Sequence, residues 1–171
     1  MKIVVVDYGM GNLKSILSVF EYLGYQDVAI SRSFDVLNKA DKLILPGVGS
    51  FAAAMSSLNE CKLSPLIRDR AIIDKVPLLG ICLGMQLMGK SSTEGGFSEG
   101  LGLVDGVVDK FISADLKIPH VGYDQIQVSQ FSRLFKDISN LPDYYFAHSY
   151  RMKSKKHIGQ STCNYIEDFV C

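Results

Sequence analysis

Three apolar runs in the first half of the chain each break into a glycine-rich turn and then into a segment of helical spacing, and this alternation leaves few folds open. The first run, residues 2–6, is almost entirely β-branched and is followed by "DYGMGN". After it, Leu13, Ile16, Leu17, Phe20 and Leu23 fall on one helical face, and Gly24 stops the pattern. "KLIL" at 42–45 runs into "PGVGSF", and "VPLLGIC" at 76–82 runs into "LGMQLMGK". A further strand at 27–30, a short helix at 35–41 and helices over 51–58 and 66–73 fill the spaces between. Strands without a polar face are buried on both sides, so the pattern predicts an α/β fold: a mostly parallel sheet with helices on both faces. At 171 residues the chain suits one domain, 1–171.

The second half changes character. "EGLGLVDGVVDKF", "KIPHVGYDQIQV", "DYYFAHSYRM" and "HIGQSTCNYIEDFVC" are short aromatic and β-branched runs between turn residues. They read as strands, partly antiparallel, with about one helical turn at 131–135.

In a parallel α/β sheet, ligands sit at the carboxyl ends of the strands. Three glycine pairs fall there: Gly9/Gly11, Gly47/Gly49 and Gly80/Gly84. Any one of them is explained by a tight turn alone; three on one edge point to a site. The third pair brackets Cys82 in the frame G-I-C-L-G. A cysteine at a strand-to-helix turn is lifted out of the sheet edge and faces free backbone N–H groups, which is the mechanics of the G-x-S-x-G elbow. A buried, unreactive cysteine is the competing reading of this pentapeptide.

Other chemistries find little support. Eighteen basic and eighteen acidic side chains cancel, and the one basic cluster, "RMKSKKH" at 151–157, reads as a solvated turn that includes a surface His157. Nothing points to nucleic acid. No apolar run approaches the ~18 residues of a membrane span, and the N-terminus reads as a first strand and not as a signal peptide. Cys61, Cys82, Cys163 and Cys171 have no metal-ligand spacing, so reduced thiols, a cytoplasmic location, no metal and no cofactor are expected.

"LLGICLGMQL" resembles the nucleophile elbow of class I (triad-type) glutamine amidotransferases. "DYGMGNLKS", "LPGVGSF", "EGLGLVDGVV", "IPHVGYDQI" and "YYFAHSY" resemble, in the same order, the glutaminase subunits of imidazole glycerol phosphate synthases. The resemblance implies a flavodoxin-like three-layer fold with a central, mostly parallel sheet. It implies that Cys82 attacks the side-chain amide of L-glutamine, that Gly47, Val48 and Gly49 with the N–H of Leu83 stabilise the oxyanion, and that Gln86, His148, Ser149 and Tyr150 line the glutamine pocket. Glu94 matches an acidic residue near the mouth of the site. His120 and Tyr123 match positions that face a (β/α)8-barrel cyclase subunit in a heterodimer. There the ammonia would enter the synthesis of imidazole glycerol phosphate and an aminoimidazole carboxamide ribonucleotide in histidine biosynthesis. His120 and His148 invite a second reading as general base, but in the family pattern neither has that role.

Two departures from the pattern carry expectations of their own. The family's triad is completed by a His and a Glu in an "HPE" motif, and none occurs among these 171 residues. The chain therefore reads as a C-terminally shortened member, with the last strand and the triad His/Glu segment missing and with activity reduced or replaced by partner binding alone. Tyr123 stands where the family usually has tryptophan, which raises the alternative of a related glutaminase for amidation of a surface-polysaccharide sugar. A triad-type hydrolase acting on another substrate is a third reading, opposed by Gln86 and the His-Ser-Tyr strand.

Overall fold

The computed structural model describes residues 1–130, 132–136, 138 and 143–171. Its first half is a parallel sheet of β1 (Ile3–Val6), β2 (Val28–Ser31), β3 (Lys42–Leu45) and β4 (Leu78–Gly80), in the order β2-β1-β3-β4. Register pairs Val4 with both Ala29 and Leu43, and Ile44 with Leu79. Because successive side chains of a strand point to opposite faces, Ile3, Val5 and Ile44 meet Leu13, Ile16 and Phe20 of α1 (Leu13–Tyr22). Val4, Val6, Leu43 and Leu45 meet α2 (Phe34–Asn38), α3 (Phe51–Glu60) and α4 (Leu63–Ile72) on the other side. The result is the expected three-layer α/β arrangement.

Local chemistry sets the helix ends. Asn12 caps α1 by accepting the Ser15 N–H, and Gly24, at φ +78°, follows its last turn. Ser50 caps α3 through the Ala53 N–H. Pro65 is tolerated in α4 because it lies in the first turn, where its missing N–H has no intrahelical acceptor.

The second half builds a larger sheet: β5 (Ser91–Ser92), β6 (Ser98–Glu99), β7 (Val107–Lys110), β8 (His120–Gln127), β9 (Asp143–His148), β10 (Tyr150–Lys153), β11 (Thr162–Asn164) and β12 (Asp168–Val170). Its order is β6-β5-β7-β10-β12-β11-β8-β9, and every pairing is antiparallel except β5 with β7. Val108 and Met152 join the main core, while Phe111, Ile126, Cys163 and Phe169 form a smaller one.

Two expectations are corrected here. The segment "EGLGLVDGVVDKF" is strand only at β6 and β7. Between them the N–H groups of Leu101, Gly102, Leu103 and Val104 donate to the carbonyls of Leu87, Gly89 and Met88, because the end of α5 (Leu83–Leu87) leaves carbonyls that need donors. The expected helical turn at 131–135 is a turn over residues 134–136, and Phe131 lies outside the described residues.

Candidate active site

β1, β3 and β4 run parallel, so the glycine turns that follow them share one edge. Gly9 (φ +90°) and Gly49 (φ +96°) take conformations that other residues resist. The first two turns touch: a Cβ on Gly11 would lie 3.0 Å from Pro46, and one on Gly49 would lie 3.0 Å from Met10 Cε. Tyr8 locks the arrangement. Its hydroxyl is buried and donates to the Pro46 carbonyl at 2.8 Å, and burial pushes its pKa up to about 12. Sequence reasoning passed over Tyr8, since an aromatic after a strand reads only as core.

The third turn carries Cys82. It sits between β4 and α5 at φ 54°, ψ −118°, a backbone conformation that costs a non-glycine residue roughly 1–3 kcal/mol. Its side chain is exposed. Hydrogen bonds over-determine the turn: the Ile81 N–H donates to the Leu45 carbonyl, the Gly84 N–H to the Ile81 carbonyl and the Met85 N–H to the Cys82 carbonyl. Leu83 is the first helical residue, so its N–H has no intrahelical acceptor.

Close backbone approach explains the glycines. A Cβ on Gly84 would lie 1.8 Å from the Leu45 carbonyl oxygen, and one on Gly80 would lie 2.5 Å from Met85 Cα. A Cβ on Gly47 would lie 2.7 Å from the Gly84 nitrogen and 2.9 Å from Leu83 Cβ. The Pro-Gly-Val-Gly loop therefore presses directly on the start of α5, beside Cys82. Val48 stands exposed at its tip. Glu94 Oε2 accepts the Phe51 N–H at 2.8 Å, which ties the turn after β5 to the exit of this loop.

Cys82 opens onto a cavity of about 370 Å³ between the elbow and the antiparallel sheet, shared with Met85, Gln86, Phe146, His148 and Met152. Gln86 Nε2 donates to the Tyr150 carbonyl at 2.9 Å, and His148 Nδ1 meets the same oxygen at 2.8 Å. Burial, with the nearby His120 adding, lowers the His148 pKa against the opposing effect of that carbonyl. The Ser149 carbonyl accepts the Phe111 N–H. Cys82, Gln86 and His148 line this cavity, Gln86 and His148 meet at the Tyr150 carbonyl, and the 47–49 loop packs on Leu83 beside Cys82, while Ser149 is not among the lining residues.

His120 does not stand at a surface. It is 2% exposed, stacked between Tyr165 (3.9 Å) and Phe146 (4.8 Å), with Nδ1 3.1 Å from His148 Nε2 and Nε2 2.9 Å from Asp124 Oδ2. Register explains the correction: His120 is paired with His148 at the end of the β8–β9 ladder, on its covered face. Tyr123 is 75% exposed and lies edge-on to Tyr145, itself 59% exposed. Both ring nitrogens of His120 and of His148 are engaged, so neither ring presents a free nitrogen to Cys82. His157 lies in the exposed basic turn, its Nδ1 accepting the Gly159 N–H. Among the described residues no cluster of His, Cys, Asp and Glu could hold a metal ion, and no helix is long and apolar enough to cross a membrane.

The family model for glutamine amidotransferase class-I matches residues 4–165. The HisH 1 subunit of imidazole glycerol phosphate synthase from Campylobacter jejuni (strain 81-176) is 41% identical over 169 residues, covering 98% of this chain and 84% of that protein. The HisH subunit from Aquifex aeolicus is 42% identical over 152 residues, covering 89% of this chain and 72% of its own length. The chloroplastic hisHF protein of Arabidopsis thaliana is 41% identical over 98% of this chain, which spans 28% of that larger protein. A glutamine amidotransferase of Thermotoga maritima shares the fold, with a TM-score of 0.66 over 99% of this chain and 69% of its own at 10% identity. These relatives are named for imidazole glycerol phosphate synthase or for glutamine amidotransferase, and none of the names is for polysaccharide amidation.

Proposed function

The chain belongs to the class I glutamine amidotransferase family, among the HisH subunits of imidazole glycerol phosphate synthase, and from that premise we propose that it is the glutaminase subunit of such a synthase in histidine biosynthesis. Cys82 Sγ attacks the side-chain carbonyl carbon of L-glutamine; the C–N bond breaks, ammonia leaves, and a γ-glutamyl thioester remains on the sulfur. Water then cleaves the thioester, releasing glutamate and the thiol. The observation that carries this reading is the strained Cys82 turn packed against the Pro-Gly-Val-Gly loop. The Leu83 N–H and the backbone of Gly47, Val48 and Gly49 would stabilise the oxyanion formed at Cys82. Gln86 and His148 on the cavity wall, with Ser149 and Tyr150 next to His148 in the chain, would receive the amino-acid end of glutamine, and Glu94 holds the loop in place.

Ammonia is lost to water unless it is passed on in a closed path, so a partner subunit must seal this edge. We take that partner to be a (β/α)8-barrel cyclase, docked over Tyr123 and Tyr145 in a heterodimer in the cytoplasm. The attack also needs a base, and the engaged rings of His120 and His148 do not supply one. The test is glutamate release from isotopically labelled glutamine with the barrel subunit present. Release that disappears in Cys82→Ala supports the reading; release unchanged by that substitution overturns it.

A further inference from the structure

Four residues form a single row of close contacts running from the antiparallel sheet to the cavity. Asp124 Oδ2 lies 2.9 Å from His120 Nε2, His120 Nδ1 lies 3.1 Å from His148 Nε2, and His148 Nδ1 lies 2.8 Å from the Tyr150 carbonyl. The same carbonyl accepts Gln86 Nε2–H at 2.9 Å.

Proton bookkeeping orders this row. A carbonyl oxygen only accepts, so His148 Nδ1 carries a proton. The neutral ring then has a lone pair on Nε2, which accepts from His120 Nδ1–H. The Asp124 carboxylate in turn accepts from His120 Nε2–H. Every contact is made only when the row holds one proton more than two neutral rings would. His120 sits between the faces of Tyr165 and Phe146, and burial lowers the pKa of His148, which disfavours a second proton on that ring.

The consequence lies at Gln86. A glutamine amide has a donor end and an acceptor end, and its neighbours decide which way it faces. The Tyr150 carbonyl, which takes one hydrogen bond from His148 and one from Gln86, selects the NH2 end of Gln86 and leaves Oε1 to accept from a ligand. We propose that Asp124 and His120 are positioning residues of the glutamine site: through His148 and the Tyr150 carbonyl they fix the Gln86 amide with Oε1 turned to the α-ammonium group of glutamine. This inference rests on the glutaminase reading and adds two residues and a proton to it.

Other charged and titratable groups around the row are accounted for. Tyr165 stacks on His120. Cys163 on β11 has its thiol pushed up to about 11 by burial, with Asp124 and Asp168 adding. Cys171, on the cavity wall, is pushed up to about 12 by burial, with Cys163 adding. Both thiols stay protonated through the neutral range. Arg151 lies over Phe111 and is paired with Glu167. Cys82 shares the cavity with His148.

The test is calorimetric titration of the 171-residue chain with L-glutamine, for the unaltered protein and for Asp124→Asn. Asp124→Asn removes a carboxylate oxygen that accepts from His120 Nε2. It should weaken glutamine binding roughly tenfold, the worth of one misaligned hydrogen bond to a charged group. Alkylation of Cys82 by iodoacetamide and the melting temperature should stay within error of the unaltered chain. Histidine ¹⁵N spectra should show His148 protonated at Nδ1. Unchanged affinity in Asp124→Asn, or a His148 protonated at Nε2 and bare at Nδ1, overturns the inference. If the unaltered chain binds no glutamine, the glutaminase reading falls and takes this inference with it. Binding by the unaltered chain that Asp124→Asn leaves intact sinks the inference alone.

Discussion

Replacing Cys82 by glycine should make the protein more stable than replacing it by alanine, the reverse of the usual order. The reason is the backbone at φ 54°, ψ −118°. Both substitutions remove the thiol, which is exposed and contributes little burial. Alanine keeps the Cβ that the left-handed conformation disfavours, a cost of roughly 1–3 kcal/mol, and glycine removes it. Glycine also gives the unfolded chain more freedom, which costs about 0.4–1 kcal/mol. The difference leaves Cys82→Gly ahead of Cys82→Ala by about 1–2 kcal/mol, well above the error of paired comparisons at equal slope. Urea unfolding of the two variants, followed by far-UV circular dichroism, reads it as a shift in midpoint. A Cys82→Gly protein less stable than Cys82→Ala would show that the turn is relaxed, and the claim that the fold holds the nucleophile in a strained, projecting position would fail.

Gly84→Ala should also run against propensity. Alanine in a helix is normally worth about 1 kcal/mol over glycine, but here its Cβ would stand 1.8 Å from the Leu45 carbonyl oxygen. Relief requires α5 to lift off the sheet, so a net loss of about 1–3 kcal/mol is expected, together with loss of glutamine binding; a stabilised variant would refute the close approach. Asp105 is held at about 2 by Lys90 first and by Lys156. Its native pKa lies below the ordinary 3.8, so its contribution is present above that pH and is lost as pH falls towards 2. The stability gap between Asp105→Asn and the unaltered protein should close over that window in an acid titration, and a constant gap would contradict the pairing. Tyr145→Ala should weaken binding of the barrel subunit by about 2 kcal/mol or more, as an exposed aromatic anchor would, with an unchanged melting temperature; unaltered affinity by surface plasmon resonance would move the interface elsewhere.

The parts of this molecule that were legible in its sequence share a physical trait: they are local. The apolar runs of β1 and β3 have no polar face, so their burial in a helix-covered sheet follows from composition within four residues. The Cys82 elbow was legible because two glycines at fixed offsets mark a backbone that must turn sharply and let α5 in. The remainder depends on residues that the fold brings together from far apart. His120 reads as an interface residue from its motif, yet pairing with a strand 28 positions later covers it. The hydrogen bond from Tyr8 to Pro46 spans 38 positions, and no periodicity announces it. The segment 101–104 has the composition of a strand, but its N–H groups go to the end of α5, a demand created by the helix and invisible in the segment itself.

The central claim is that Cys82 accepts an acyl group from glutamine bound in the adjoining cavity. Intact-protein and peptide mass spectrometry after exposure to a diazoketone analogue of glutamine tests it most directly. A single adduct confined to Cys82, slowed by free L-glutamine and absent in Gln86→Ala, is the predicted result. Labelling spread over Cys61, Cys163 and Cys171, or labelling of Cys82 that glutamine does not slow, would contradict it.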